Sequence, residues 1–349
     1  MTSLETLSRL GIVAIGRNEG GRLQVCLEAL APLGCPTVYV DSGSTDGSPD
    51  RARRAGVDVL PLDAALPFTA ARARREGCER LLAIAPEVQW VFFVDGDCET
   101  QAEFLPAAVE YLATHPQVAA VAGRRRERHP ERSRYNRLCD LEWNAPPGAC
   151  DALGGDALYR VAAYQQAGGF NPSVAAGEEP ELCFRLRQIG WELHRLDREM
   201  TIHDADMTRW GQWWRRQIRT GYGGWDVERR FSIGLFDRIV RSAVGWSIGL
   251  PVLAVTGALI AWRLVGWGAA AAVIGLALAV IVAQTMRIAR RLATAGHSLR
   301  EGLSLAGLLM GAKLPITLGA VRAQMDRWRG RHASLIEYKS TGQKSCAQP

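Results

Sequence analysis

Two aspartates one residue apart end an apolar run in the segment VFFVDGDCET, residues 91–100. In an extended chain, residues i and i+2 project from the same side, so Asp95 and Asp97 can face one ligand. Gly96 between them leaves room for close approach of a phosphate or a cation. Hard oxygens at this spacing suit Mg2+ or Mn2+, and such an ion neutralises a diphosphate. A plainer use exists: Asp97 to Thr100 would simply cap the next helix. The motif is short, and taken alone it leaves both readings standing.

Two further polar clusters follow apolar runs in the same way. VYVDSGSTDGS (38–48) places Asp41 just past a run, ahead of small hydrogen-bonding residues. A carboxylate there can accept the imide N–H of a uracil or the amino hydrogens of a guanine, or it can close an Asx-turn. AIGRNEG (14–20) puts Arg17 and Glu19 at another such end, where either could be a helix-start residue.

The elements that must position these groups read as alternating strands and helices. Runs at 11–15, 37–40, 90–94 and 118–123 have strand character. Between them GGRLQVCLEALAPLG and TAARARREGCERLLAIA carry helical periodicity. That alternation predicts an α/β domain with a largely parallel sheet covered on both faces. Ligands of such sheets sit beyond the carboxyl ends of the strands, where all three polar clusters lie.

After Asp237 the composition changes. Two uncharged stretches, 242–262 and 264–286, are each long enough to cross about 30 Å of hydrocarbon. They predict a transmembrane hairpin with the lone Arg263 at its tip. The basic segment after Met286 places both hairpin ends in the cytoplasm. A third apolar segment, 302–321, is interrupted by Lys313 and Pro315 and is expected as an interfacial or re-entrant helix, with a third membrane segment as the alternative, ahead of a basic tail. The resulting division is an α/β domain over 1–236, which carries the polar clusters, and a membrane-anchoring region over 237–349.

The chain has 349 residues, 48% hydrophobic, with a net charge of +6. No nucleic-acid motif accompanies the arginine clusters, which suit an anionic membrane surface or a phosphate-bearing substrate; no nucleic-acid partner is expected. The eight cysteines show neither a paired framework nor C-x-x-C, so reduced, mostly buried thiols are expected. The start MTSLETLSRLGIVAIG lacks the basic n-region of a secretory signal.

Taken in order, GRNEG, VDSGSTDGS, ARREG, VFFVDGDCE, GGDALYR…GGF and GEEPELCFRLR resemble a family 2 glycosyltransferase of the membrane-anchored bacterial type, with the GT-A fold: a Rossmann-like mixed sheet with flanking helices. The resemblance covers roughly 11–220. It implies that Asp41 contacts the nucleotide base, with Gly16 and Glu19 lining the same pocket. It implies that Arg74 approaches the diphosphate, although Arg75 stands where the family usually has asparagine. Asp95 and Asp97 match the metal-binding pair, Asp97 being the better direct ligand, and Asp156 lies in the loop that shapes the sugar pocket. His203, in MTIHDADMTRW, matches a third metal ligand seen at the corresponding strand end.

In AAGEEPELCFRLRQIGW, Leu182, Leu186 and Ile189 recur at i, i+4 and i+7, which predicts a helix with one inward face. Pro180 suits its first turn, and Glu178 and Glu179 sit at its positive end. They either cap it or supply the general base that takes the acceptor hydroxyl's proton. The family usually shows Glu-Asp here, the second residue being the base, so Glu179 is the choice. In TRWGQWWRRQIRTGYGG, the tryptophans suit headgroup depth and Arg215 could hold the leaving diphosphate.

The expected activity is therefore inverting, metal-dependent (Mg2+ or Mn2+) transfer from a nucleotide-diphosphate sugar, UDP before GDP, to a lipid-linked or polysaccharide acceptor. It would take place at the cytoplasmic face of the inner membrane, in contact with membrane lipids. A processive polysaccharide synthase and an inactive GT-A-like membrane scaffold are the alternatives.

Overall fold

The apolar runs LGIVAIG and WVFFV must be covered on both faces, and they form the centre of one mixed sheet. The computed structural model describes residues 7–330, so Cys346 and the end of the basic tail lie outside the described residues. The chain divides into two units, one reaching Asp206 and the other starting at Met207.

In the first unit the elements run β1 (Leu10–Gly16), α1 (Gly21–Leu30), β2 (Thr37–Asp41), α2 (Ser48–Arg54), β3 (Asp58–Pro61), α3 (Ala70–Ile84), β4 (Trp90–Asp95), β5 (Cys98–Thr100) and α4 (Phe104–Thr114). They continue as β6 (Val118–Glu127), α5 (Arg134–Trp143), β7 (Gly148–Ala149), β8 (Ala157–Arg160), α6 (Val161–Gln166), α7 (Glu178–Gln188) and β9 (Glu192–His203). The sheet order is β3-β2-β1-β4-β8-β6-β9-β5, with β7 paired to β9. The first four strands are parallel, as the alternation of elements predicts. β8 then runs antiparallel to both β4 and β6, which makes the sheet mixed.

Chain order switches direction at β1, which lies between β2 and β4, and the carboxyl ends there carry Gly16, Asp41 and Asp95. Helix α3 packs unusually close to this region because Gly77 has no side chain: a Cβ there would stand 2.5 Å from Val13 Cγ1 and 2.6 Å from Val40 Cγ2. Arg74, one turn earlier on the same helix face, is thereby carried to the strand ends. Thr69 caps the helix, its hydroxyl accepting from the Arg72 amide.

Helix α7 buries Leu182, Cys183 and Leu186. Ile189 does not join that face: the helix stops at Gln188, and Ile189 is 44% exposed. The described cysteines are all free. Burial raises the pKa of the thiols of Cys26, Cys78, Cys98 and Cys183, and less strongly those of the half-buried Cys35 and Cys150.

The second unit holds α8 (Trp210–Phe231), α9 (Leu235–Leu264), α10 (Trp267–Thr294) and α11 (Leu299–Trp328). The last three are long and apolar enough to cross a membrane. The segment expected to lie at the interface is therefore a third candidate span. Lys313 and Pro315 are accommodated within it: the Lys313 ammonium donates to Ser242 Oγ at 3.1 Å, and Pro315 falls just after a turn at Ala312. The three spans differ in cover. Half of the apolar window of α11 is buried by protein (50%), against 11% for α9 and 6% for α10. Much of the cover over its second half comes from α8 through glycines: a Cβ at Gly221 would run into the Ile316 carbonyl, and one at Gly319 into that of Ile218.

Candidate functional site

At the ends of β1 and β2, Gly16 pairs with Asp41. A Cβ on Gly16 would meet Glu19 Cγ at 3.0 Å and the Tyr39 hydroxyl at 3.1 Å, so Gly16, Glu19 and Asp41 gather as expected. Asp41 is buried; its Oδ2 accepts from the amides of Gly43 and Ser44 at 3.1 and 2.9 Å. This closes the Asx-type turn. Oδ1 accepts from the Tyr39 hydroxyl at 3.3 Å. Gly96 has a nearer reason than ligand access: its amide donates to Ile15 O at 2.7 Å, and a Cβ would stand 3.1 Å from that oxygen.

Beyond β4 lies a dense charged cluster. Arg74, 2% exposed, donates through Nη1 to Glu178 Oε1 at 2.8 Å and through Nη2 to Asp95 Oδ1 at 2.9 Å, with Glu179 Oε1 at 3.3 Å. Arg125 reaches the other oxygen of Asp95, Nη2 to Oδ2 at 3.2 Å, and holds Asp156 through Nε at 3.0 Å and Nη2 at 2.7 Å. Both oxygens of Asp95 therefore face guanidinium groups. Asp156 is fully buried and further engaged: Oδ1 accepts the Asp95 amide at 3.0 Å and Oδ2 the Thr201 hydroxyl at 2.7 Å. Its visible work is to fix Asp95.

Gly155 makes this convergence possible. A Cβ there would stand 2.6 Å from Arg74 Nη2, 3.1 Å from Glu179 Oε1 and 3.2 Å from Asp95 Oδ2. Of the two glutamates, Glu178 is buried in its pair with Arg74, while the Glu179 side chain is 19% exposed. Burial and the neighbouring Glu178 charge push the Glu179 carboxyl up to about 7, against the opposing pull of Arg74. A carboxylate that exchanges protons near neutrality and meets solvent has the properties of a general base.

Asp97 and His203 form the second cluster. β5 pairs antiparallel with β9, Cys98 opposite His203, and this register brings His203 Nε2 to 3.2 Å from Asp97 Oδ2. Burial, and then the Arg125 charge, lower the His203 pKa to about 4, so its ring is neutral at pH 7. Its Nδ1 is buried with no hydrogen-bond partner among the described residues. Asp97, Cys98 and His203 could together hold a metal ion, as could Asp95, Cys98 and Asp156. Burial keeps the Cys98 thiol protonated, and it donates to Asp97 Oδ1 at 3.7 Å. A carboxylate beside a neutral imidazole with an unused ring nitrogen suits Mn2+ better than Mg2+, which prefers an all-oxygen set.

Arg125, Trp143, Thr201 and Gly155 were not singled out by sequence reasoning. Trp143 stands between the two clusters, its ring 5.5 Å from the Arg125 guanidinium and 4.8 Å, edge-on, from His203. Arg125 had one signal, its place in the RRR run of GRRRERH, one of the arginine clusters that suit an anionic membrane surface or a phosphate-bearing substrate. Arg215 belongs to the second unit, at an exposed position of α8.

Residues 12–161 match the family described as Glycosyl transferase family 2. The succinoglycan biosynthesis protein ExoA of Rhizobium meliloti (strain 1021) is 25% identical over 224 residues, 58% of this chain and 66% of that protein. The match thus spans just under two thirds of the relative's length. The solved mannosyltransferase PcManGT from Pyrobaculum calidifontis, in complex with GDP-Man and Mn2+, is similar with a TM-score of 0.56 at 16% identity, over 91% of this chain and 88% of that one. At that identity the likeness is one of fold.

Proposed function

We propose, from the premise that residues 12–161 place this chain in glycosyl transferase family 2 with the GT-A fold, that it moves a sugar from a nucleotide-diphosphate donor to an acceptor hydroxyl with inversion at the anomeric carbon. The observation that carries this reading is the convergence of the solvent-touching Glu179 with buried Arg74, which itself binds the half-buried Asp95 that Arg125 also holds; burial and the Glu178 charge raise the Glu179 carboxyl.

In this reading Asp41, Gly16 and Glu19 border the base. The array of Arg74 and Arg125 supplies positive charge at the strand ends, where the leaving diphosphate gathers negative charge. Asp97 and His203 would hold a divalent cation, which when bound neutralises diphosphate charge. Glu179 takes the proton of the attacking hydroxyl, and Glu178 keeps Arg74 in place. Asp156 fixes Asp95 rather than the sugar. Arg215 is retained as a candidate for the leaving diphosphate.

UDP is favoured over GDP as the nucleotide. The acceptor is proposed to be a lipid-linked or polysaccharide glycan, at the cytoplasmic face of the inner membrane. Three candidate spans and the similarity to a succinoglycan biosynthesis protein support that placement.

The test is titration of the full-length protein with UDP and with GDP, each with and without Mn2+, repeated on Asp97→Ala and His203→Ala. Binding of one nucleotide that needs the cation and both residues is expected. Binding indifferent to Mn2+ and to both substitutions would refute the metal assignment; binding of neither nucleotide would refute the donor class. The anomeric configuration of the product, read by NMR, tests inversion.

A further inference from the structure

The second unit carries a cluster that the transfer reading does not use. Helix α10 is apolar until its last turns, where Arg287, Arg290 and Arg291 fall at i, i+3 and i+4 and so share one face. With Ala283, Met286 and Thr294 of the same helix they line an open, shallow surface groove. All three arginines are exposed, and none has an ion pair or hydrogen bond to a protein group among the described residues. Two arginines on the adjacent spans have carboxylate partners: Arg241 pairs with Asp237 at 2.7 Å, and Arg322 lies 3.9 Å from Asp326. The acid nearest in sequence, Glu301, is engaged by His297 at 3.3 Å.

Basic residues at the end of an apolar helix are favoured by the helix dipole and by membrane orientation alone. Those effects require charge; they require neither a groove nor a guanidinium fork. We infer that this groove seats the phosphate of an anionic membrane lipid headgroup. The guanidinium groups of Arg287, Arg290 and Arg291 donate to the phosphate oxygens. Ala283 and Met286, on the apolar side of the groove, take the first methylenes of the acyl chains. The inference rests on α10 being a membrane span and is independent of the transferase chemistry, because lipid capture is read without any nucleotide.

The test uses the full-length protein in neutral detergent, with bound lipid counted by native mass spectrometry after addition of phosphatidylglycerol or phosphatidylcholine. Phosphatidylglycerol is expected to be retained at least about tenfold better, and R287Q/R290Q/R291Q to lose that retention. The triple lysine variant keeps the charge but lacks the fork, and is expected to lose retention several-fold. R241Q/R322Q removes arginines outside the groove and should bind as the parent does. Equal retention of the two lipids would overturn the inference, as would unchanged binding in the glutamine variant. Full retention by the lysine variant would reduce the site to diffuse surface charge and also overturn it. Displacement of the lipid by millimolar inorganic diphosphate would reassign the groove to a soluble phosphate ligand.

Discussion

Gly155→Ala adds one methyl group where Arg74, Glu179 and Asp95 converge. The new carbon would lie 2.6 Å from Arg74 Nη2, whereas unstrained contact needs about 3.5 Å, so the guanidinium must withdraw by about 1 Å. Arg74 has nowhere easy to go: it is 2% exposed and bound to Glu178 at 2.8 Å and Asp95 at 2.9 Å. Overpacking of this kind costs about 1–3 kcal/mol. Gly155 is not among the glycines with left-handed backbone, so alanine is sterically allowed and lowers unfolded-chain entropy, offsetting about 0.4–1 kcal/mol. The net loss is about 1–2 kcal/mol, a fall in melting temperature of about 2–8 °C for a unit of this size. Catalysis should suffer more. A shift of about 1 Å in groups that orient reactants costs about 100-fold in kcat/KM. Nucleoside diphosphate release, measured on the full-length protein with donor and acceptor, reads this directly. A variant that melts lower yet keeps kcat/KM within about twofold would refute the claim that this cluster positions the reaction.

Glu179 should give the pH profile its acid limb. Its carboxyl is raised to about 7, so it is protonated and inactive as a base below that pH; kcat/KM should rise through neutrality and level off above. Glu179→Gln should remove the limb and lower kcat by about 100-fold or more, and a parent profile flat across neutrality would exclude Glu179 as the base. Arg74→Ala leaves buried carboxylates unpaired and should destabilise the first unit by about 3–5 kcal/mol, seen as a lower denaturation midpoint; Arg74→Lys should fall in between, because an ammonium cannot fork to Glu178 and Asp95 together. Gly319→Leu forces α8 and α11 apart and should cost the second unit about 1–3 kcal/mol or more; an unchanged melt would mean that the crossing is looser than described.

The parts of the site that lie in one stretch of chain were legible in the sequence. Strand ends at Gly16, Asp41 and Asp95 follow from where apolar runs stop, and Pro180 with its flanking glutamates marks the start of α7. What depends on distant pairing was not legible. β6 continues past Gly123 to Glu127 through the charged RRRE because β9 lies beside it, Arg126 opposite Ile202 and Glu127 opposite His203. That long-range register turns Arg125 from one member of a basic run into a half-buried partner of Asp95 and Asp156. Ile189 failed for a local reason: the helix ends one residue earlier, and periodicity cannot show where a pattern stops. The cover that α8 gives α11 was hidden as well, because it depends on Gly221 of α8 and Gly319 of α11, which carry no hydropathy signal.

The burial of the native thiols has a use in labelling chemistry. Every described cysteine is at least half-buried, and those whose acidity is shifted are shifted toward the unreactive thiol. With Cys346 replaced by serine, the chain offers a quiet background for one introduced reporter. Val265, between α9 and α10, is 79% exposed and suits that reporter. A membrane-impermeant maleimide added to intact cells should modify Val265→Cys if the hairpin tip faces outward, while a cysteine placed at Gly296 should react only after the cells are opened. The inertness of the native sulfurs thus lets single introduced cysteines report the sidedness of the α9–α10 hairpin.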